Sequence, residues 1–322
     1  MSDNIAKTLI ATDSDDVKLD KTIKKILSNK PILTRIIAEV VDECKGMSFD
    51  EIEKSIEGSV DIEKIPLDPG LTNMVIEGNT QEDFIPNEGM IVYDIRTYLR
   101  IPSNDVVTVK ILIDVEAQKD EHPGYDIQTR AVFYCCRMIS SQLDKEFTVH
   151  TDDPKKYDNI KKVYSIWICP ETSQKRANTI EKYSMQKEML VGKSIDDCRY
   201  DLMTAIIINL SKTHNCEDCD NELIRMLTDL FDETKDAVEK IDNLKKNYNI
   251  QVDMELETEV EKMCTYTEKI KTESEEKGMA KGEKKGRLNT FLELIKDGTF
   301  TIEQASEKSG FSIEVLKEHL GE

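Results

Sequence analysis

Two short runs of the chain set acidic residues where they could act on a cation. Residues 90–101 and 106–118 alternate as strands do, with successive side chains on opposite faces. In the later run Val107, Val109, Ile111, Ile113, Val115 and Ala117 share one face, and Thr108, Lys110, Leu112, Asp114, Glu116 and Gln118 the other. In the earlier run Ile91, Tyr93, Ile95, Leu99 and Ile101 form the apolar face; Asp94, Arg96, Tyr98 and Arg100 lie opposite, with Met90 and Val92. Pro102-Ser-Asn-Asp105 between the runs is a turn cluster. Residues paired across a hairpin sum to a constant, and Asp94 and Glu116 sum to 210, a turn centred at residue 105. Like charges facing each other in a sheet repel. A divalent cation between them, Mg2+ above all, relieves the repulsion because it favours oxygen ligands. A solvated acidic face fits the same spacing.

Three other patterns carry residues with chemistry. Glu39 and Glu43 are four apart and share a helical face. Arg130, Tyr134 and Arg137 recur at i, i+4 and i+7, one helix stripe that would contact backbone phosphate and stack on a nucleotide; a surface stripe with packed Tyr134 and acid-paired arginines has the same spacing. His214-Asn-Cys216-Glu-Asp-Cys219 offers at most three zinc ligands with no second CxxC, so it reads as a polar inter-helix loop. Trp167, in an apolar strand, reads as core.

The elements that must hold these residues follow from periodicity. Residues 1–19 are polar and acidic and read as loose. Helices are expected at 19–28 and 32–45, and a capping box, Ser48-Phe-Asp-Glu51, opens a third through residue 56. Residues 57–88, rich in Gly and Pro, read as a long loop. After the two alternating runs come an amphipathic helix at 126–143 and strands at 163–169, 179–190 and 202–210, the last a buried apolar run. Helices at 221–233 and 236–248 follow, then a charged stretch at 253–277. Gly278, Gly282 and Gly286, set among charges, read as a partly helical linker. Residues 288–320 read as two or three short helices turning at Gly310-Phe-Ser312. Their helix-turn-helix rhythm offers Glu314, Lys317, Glu318 and His319, poor readers of base edges, so a packing unit is expected.

Composition bounds the rest. The 322 residues carry 44 basic and 64 acidic side chains, a net charge of −20. That excludes a generically basic coat for nucleic acid. More than half of the excess acid lies beyond residue 212. No apolar run is long enough to span a membrane, and no basic segment leads into an apolar one as in a secretory signal. With eight cysteines, this points to reduced thiols in the cytoplasm.

The wording of the motifs adds a resemblance. Asn87-Glu-Gly-Met-Ile-Val-Tyr-Asp94-Ile-Arg, then Asp114-Val-Glu116-Ala-Gln118-Lys-Asp, resembles the PD-(D/E)XK nuclease superfamily, in particular the PD-(D/E)XK nuclease family transposases related to the Rpn recombination-promoting nucleases. Further matching blocks are His122-Pro-Gly-Tyr125, Arg130-Ala-Val-Phe-Tyr134-Cys-Cys-Arg137-Met-Ile-Ser-Ser141 and Lys162-Val-Tyr-Ser-Ile-Trp-Ile-Cys169. The likeness covers roughly residues 20–290. It implies an α/β, restriction-endonuclease-like PD-(D/E)XK core: a mixed central sheet of about four strands flanked by helices, with an α-helical C-terminal extension. The implied division is a flexible segment 1–19, a nuclease-like domain 20–212, a charged helical extension and linker 213–286, and a helical unit 287–322. The implied activity is Mg2+- or Mn2+-dependent hydrolysis of DNA phosphodiesters, linked to recombination or mobile elements. Asp94, Glu116 and the carbonyl of Ala117 would hold the metal. Gln118 stands where the wider superfamily has Lys, and would orient water without supplying charge. An acid from the first helix, Glu43 before Glu39, would complete the site, with Glu88 as an outside candidate. Two other readings stay open: a catalytically inactive nuclease fold acting as a binding module, and an assembly protein that forms homo-oligomers through its C-terminal helices.

Overall fold

Aliphatic residues at helical spacing make the first layer. The computed structural model describes residues 14–62, 82–85, 89–92, 95–101, 109–117, 124–142, 156–193, 199–211, 213 and 219–320. Helix α1 (Asp15–Ser28) has Asp15 and Asp16 in its first turn and Lys25 in its last, matching the helix dipole. Helix α2 (Lys30–Val40) has Pro31 in its first turn, where a missing N–H costs nothing. It buries Ile32, Leu33, Ile36 and Ile37 completely. The expected helix to residue 45 stops at Val40: Val41 is extended, and a 3-10 turn, Asp42–Cys44, follows. The chain is caught at that point by the Tyr164 hydroxyl, which accepts from the Asp42 N–H at 3.3 Å. Helix α3 (Phe49–Ser55) opens with the capping box read in the sequence: the Glu51 N–H donates to the Ser48 Oγ, and Glu51 Oε2 accepts from the Ser48 N–H at 2.8 Å.

The second layer is one mixed sheet of six strands. In chain order these are β1 (Ile56–Ile62), β4 (Ile95–Ile101), β5 (Val109–Ala117), β6 (Lys162–Thr172), β7 (Thr179–Ser184) and β8 (Met203–Ser211); β2 (Glu82–Ile85) and β3 (Gly89–Val92) form a separate two-stranded ribbon. The order across the large sheet is β1-β4-β5-β6-β8-β7. β5, β6 and β8 run parallel; the β1–β4, β4–β5 and β7–β8 pairs are antiparallel. The sheet is wider than the four strands expected. β1 lies in the stretch read as loop, because its register with β4 shifts between Glu57 and Asp61, around Gly58, and blurs the alternation. The strand expected over 90–101 is two: Val92 pairs with Glu82 in the ribbon, whereas Ile95 pairs with Val115 in the large sheet. β7 ends at Ser184, not at 190. Its partner β8 begins at Met203, one residue beyond the last pair, Ser184 with Thr204, so the ladder has no strand left to bond. Leu190 and Val191 are then 85% and 89% exposed.

Both faces of the sheet are covered. On one, Ile95, Leu99, Tyr164, Ile166, Ile168, Ile206 and Ile208 pack under α1, α2 and α3 and under α5 (Glu222–Phe231) and α6 (Ala237–Lys246). On the other, Val163, Trp167, Cys169, Ala205 and Ile207 meet α4 (Ile127–Ser140), the crossover between β5 and β6. Trp167 is 1% exposed, the core residue expected.

The chain divides into two compact units, Val17–Cys264 and one built mainly of Thr265–Glu322. Helix α7 (Met254–Lys296) contributes Leu256, Val260 and Met263 to the core of the first. Where a linker was expected at 277–286, α7 continues unbroken: Lys, Glu, Met and Ala favour the helix, and pairs such as Glu273–Lys277 at 3.0 Å support it. In the second unit α8 (Ile302–Ser309) and α9 (Ile313–Leu320) close a small core of Leu292, Ala305 and Leu316. They turn at Gly310, whose φ of 77° is left-handed backbone. Among the described residues no helix is long and apolar enough to cross a membrane.

Candidate functional site

The β4–β5 hairpin has the register read from the sequence. Ile95 pairs with Val115, Arg96 with Asp114 and Ile101 with Val109, each pair summing to 210. Asp94, Gln118 and Glu88 lie outside the described residues, as do His214 and Cys216. Glu116 and Ala117 end β5, and their backbones pair with Trp167 and Ile168 of β6. The position of Glu116 therefore belongs with the Trp167 side of the sheet, where α4 packs. On that side too Arg96 is 4% exposed, and its Nη2 donates to Ser141 Oγ at 3.3 Å.

Glu43 stands elsewhere. Its Oε2 accepts from the Tyr164 hydroxyl at 2.6 Å, and its Oε1 pairs with Lys162 Nζ at 2.9 Å. Lys162 also reaches Asp201 Oδ2 at 2.9 Å. Tyr164 is in register with Ile113, three residues and so an odd number of alternations from the Trp167–Glu116 pair, and packs in the core under α1–α3. The structure thus brings Glu43 to the opposite side of the sheet from position 116, with both its oxygens engaged. Glu39 is also engaged, its Oε1 accepting from Asn221 Nδ2 at 2.7 Å.

The electrostatics of the Glu43 cluster follow from burial and charge. Burial opposes the Lys162 ammonium, but the carboxylates of Glu43 and Asp201 outweigh it and raise its pKa. Burial, then Glu43, raises the Tyr164 hydroxyl, which stays a neutral donor. Burial, reinforced by Glu43, pushes the Cys44 thiol up to about 12. Next door, burial would raise Asp42, yet the ammonium groups of Lys182 and Lys45 hold it below the usual carboxylate value.

The helix stripe is mostly inward. Tyr134 is 5% exposed, its ring 5.3 Å from Trp167, and Arg137 is 3% exposed. Arg130 does meet solvent: its guanidinium lies 5.1 Å from the Tyr125 and Tyr134 ring centres and donates to the Tyr134 hydroxyl at 2.6 Å. The inward set Ile127, Ala131, Tyr134 and Met138 is itself a 3.6-period stripe, a signal already present in the sequence that Tyr134 is core.

The model of the PD-(D/E)XK nuclease family transposases matches residues 105–292, more than half of the chain. The chain belongs to that family. The family segment runs from β5 through α4, β6, β7, β8, α5 and α6 into α7, and it contains Glu116, Ala117, Gln118, Arg130, Tyr134 and Arg137. It begins after Asp94 and Glu43, so it is shorter at the N-terminal end than the 20–290 expected. No curated protein and no solved structure matches the chain. For this family member, sequence reasoning missed Lys162, Tyr164 and Asp201 as partners of Glu43. Strand alternation in 162–169 does put Lys162 and Tyr164 on one face, but nothing local says that Glu43 docks there.

Proposed function

We propose that the chain is a divalent-metal-dependent DNA endonuclease linked to recombination or mobile elements. The observation that carries this reading is the family match over residues 105–292, which contains Glu116, Ala117 and Gln118; Asp94 joins them by the sequence motif alone. Two carboxylates and the Ala117 carbonyl are hard oxygen donors suited to Mg2+ or Mn2+. The bound cation would polarise the scissile phosphate and lower the pKa of its water. Asp94 and Glu116 would hold that cation, and the Gln118 amide would orient a water by hydrogen bonds. Arg130, steadied by two tyrosines, supplies a phosphate contact. Glu43 is left out of the metal set, because Lys162 and Tyr164 occupy its oxygens.

Supercoiled plasmid incubated with Mg2+ tests the reading. Wild type nicks or linearises it, and Asp94→Ala and Glu116→Ala lose that activity. If both variants cut as well as wild type, the site assignment fails. If no preparation cuts but DNA is still bound, the fold serves as a binding module instead.

A further inference from the structure

Charge on α7 is segregated along its length. Residues 253–276 carry nine acidic side chains against three basic ones; residues 277–287 carry five basic ones, Lys277, Lys281, Lys284, Lys285 and Arg287, against Glu283 alone. The helix dipole does not explain the basic run. Its influence fades within the last turn, and α7 continues to Lys296, nine residues past Arg287. Nor does packing: every residue from 271 to 287 is exposed. At 100° per residue Lys277, Lys281, Lys284 and Lys285 fall within one side of the helix. Gly278, Gly282 and Gly286 line the adjacent side, and a Cβ built on any of them meets nothing within 4 Å. The result is a basic face beside a face without side chains, which lets a partner's backbone come close. Where α7 meets the α8–α9 turn, a cleft of about 510 Å3 is lined by Lys284, Glu283 and Arg287 on one wall and Ser309, Gly310 and Ser312 on the other.

We propose that the 277–287 face of α7 is a docking surface for the phosphate backbone of duplex DNA. Charge complementarity selects a polyanion: this is a cationic surface on a chain of net charge −20. The choice of DNA among polyanions rests on the nuclease reading. The rise from Lys277 to Lys284 is about 10 Å, the axial length over which one strand presents about three phosphates. The acidic α9, with Glu314 and Glu318, makes this a backbone contact without base readout.

The test is binding of a labelled 30-base-pair duplex to the full chain in metal-free buffer, from 50 to 200 mM salt. Lys281→Gln/Lys284→Gln/Lys285→Gln is compared with wild type. Three lost phosphate contacts make the plot of log affinity against log salt shallower by about 2.7, so wild type loses roughly 40-fold more affinity across that range. Equal slopes overturn the proposal, as does a wild type that fails to bind at 50 mM salt. Light scattering in parallel reads the competing partner, a second copy of this chain. If the triple variant only dissociates an oligomer and leaves the slope unchanged, the surface is a protein interface. Omitting metal separates this surface from the nuclease site: lysine-dependent binding with no cleavage under Mg2+ keeps the docking surface and fails the endonuclease reading.

Discussion

Replacing Glu43 with alanine separates a structural carboxylate from a catalytic one. The variant strips Lys162, whose side chain is 10% exposed, of its better-buried partner and leaves it Asp201, which is 59% exposed. Breaking a buried ion pair costs roughly 3–5 kcal/mol, and an exposed pair returns little of that. The surviving Asp201 contact argues for the lower end, about 3 kcal/mol, including the lost acceptor for the Tyr164 hydroxyl. Tyr164→Phe removes a 2.6 Å charge-assisted bond and the acceptor of the Asp42 N–H but leaves the Lys162–Glu43 pair, and costs about 2–3 kcal/mol. Because both variants remove the same hydrogen bond, the double variant costs less than the sum by about 1 kcal/mol. The sole tryptophan, Trp167, is buried against α4 and reports urea unfolding directly by fluorescence. With a slope of about 3 kcal/mol per molar urea, Glu43→Ala moves the midpoint down by about 1 M. A midpoint within 0.2 M of wild type, with metal-dependent cleavage abolished, would refute this reasoning and return Glu43 to the catalytic set.

Asp42 gives a pH prediction. Its folded pKa is depressed by Lys182 and Lys45, so its stabilisation is present above the unfolded value near 3.9 and is lost as pH falls through the lower folded value. Asp42→Asn is therefore less stable at pH 7 and loses less stability between pH 5 and 2, checked by urea midpoints across that range. Gly278→Ala/Gly282→Ala/Gly286→Ala meets open space at all three positions, so it strengthens α7 locally by roughly 1 kcal/mol per site; slower amide hydrogen exchange over 274–290 is the measurement, and unchanged exchange contradicts a continuous helix there.

What the sequence made legible was periodic or local. The β4–β5 register followed from alternation and a turn cluster, and the Ser48–Glu51 box needed four residues. Arg130–Tyr134–Arg137 shows the limit of such patterns: a stripe says which residues share a face, not which face is inward, and here the aliphatic neighbours decide. The break between β3 and β4 was hidden because Met90–Val92 and Ile95–Ile101 are both good strand sequence; their partners, 82–85 and 109–117, are what separate them. The Glu43 cluster joins residues more than a hundred positions apart, and its geometry depends on Val41 ending α2, a choice sealed by a tyrosine on a distant strand.

The strand order β6-β8-β7 has a consequence for how the chain emerges during synthesis. β6 and β7 are consecutive in the chain, yet β8, made later, lies between them. β6 can settle against β5, made earlier, but its other edge and the whole of β7 wait for β8, which ends at Ser211, 39 residues after Thr172 and 27 after Ser184. At 5–20 residues per second that leaves roughly 2–8 s in which Ile166 and Ile168 have an uncovered flank, and roughly 1–5 s in which the finished β7 has no pairing partner. During vectorial folding, this interval is when the nascent sheet is most open to a chaperone or to a neighbouring chain.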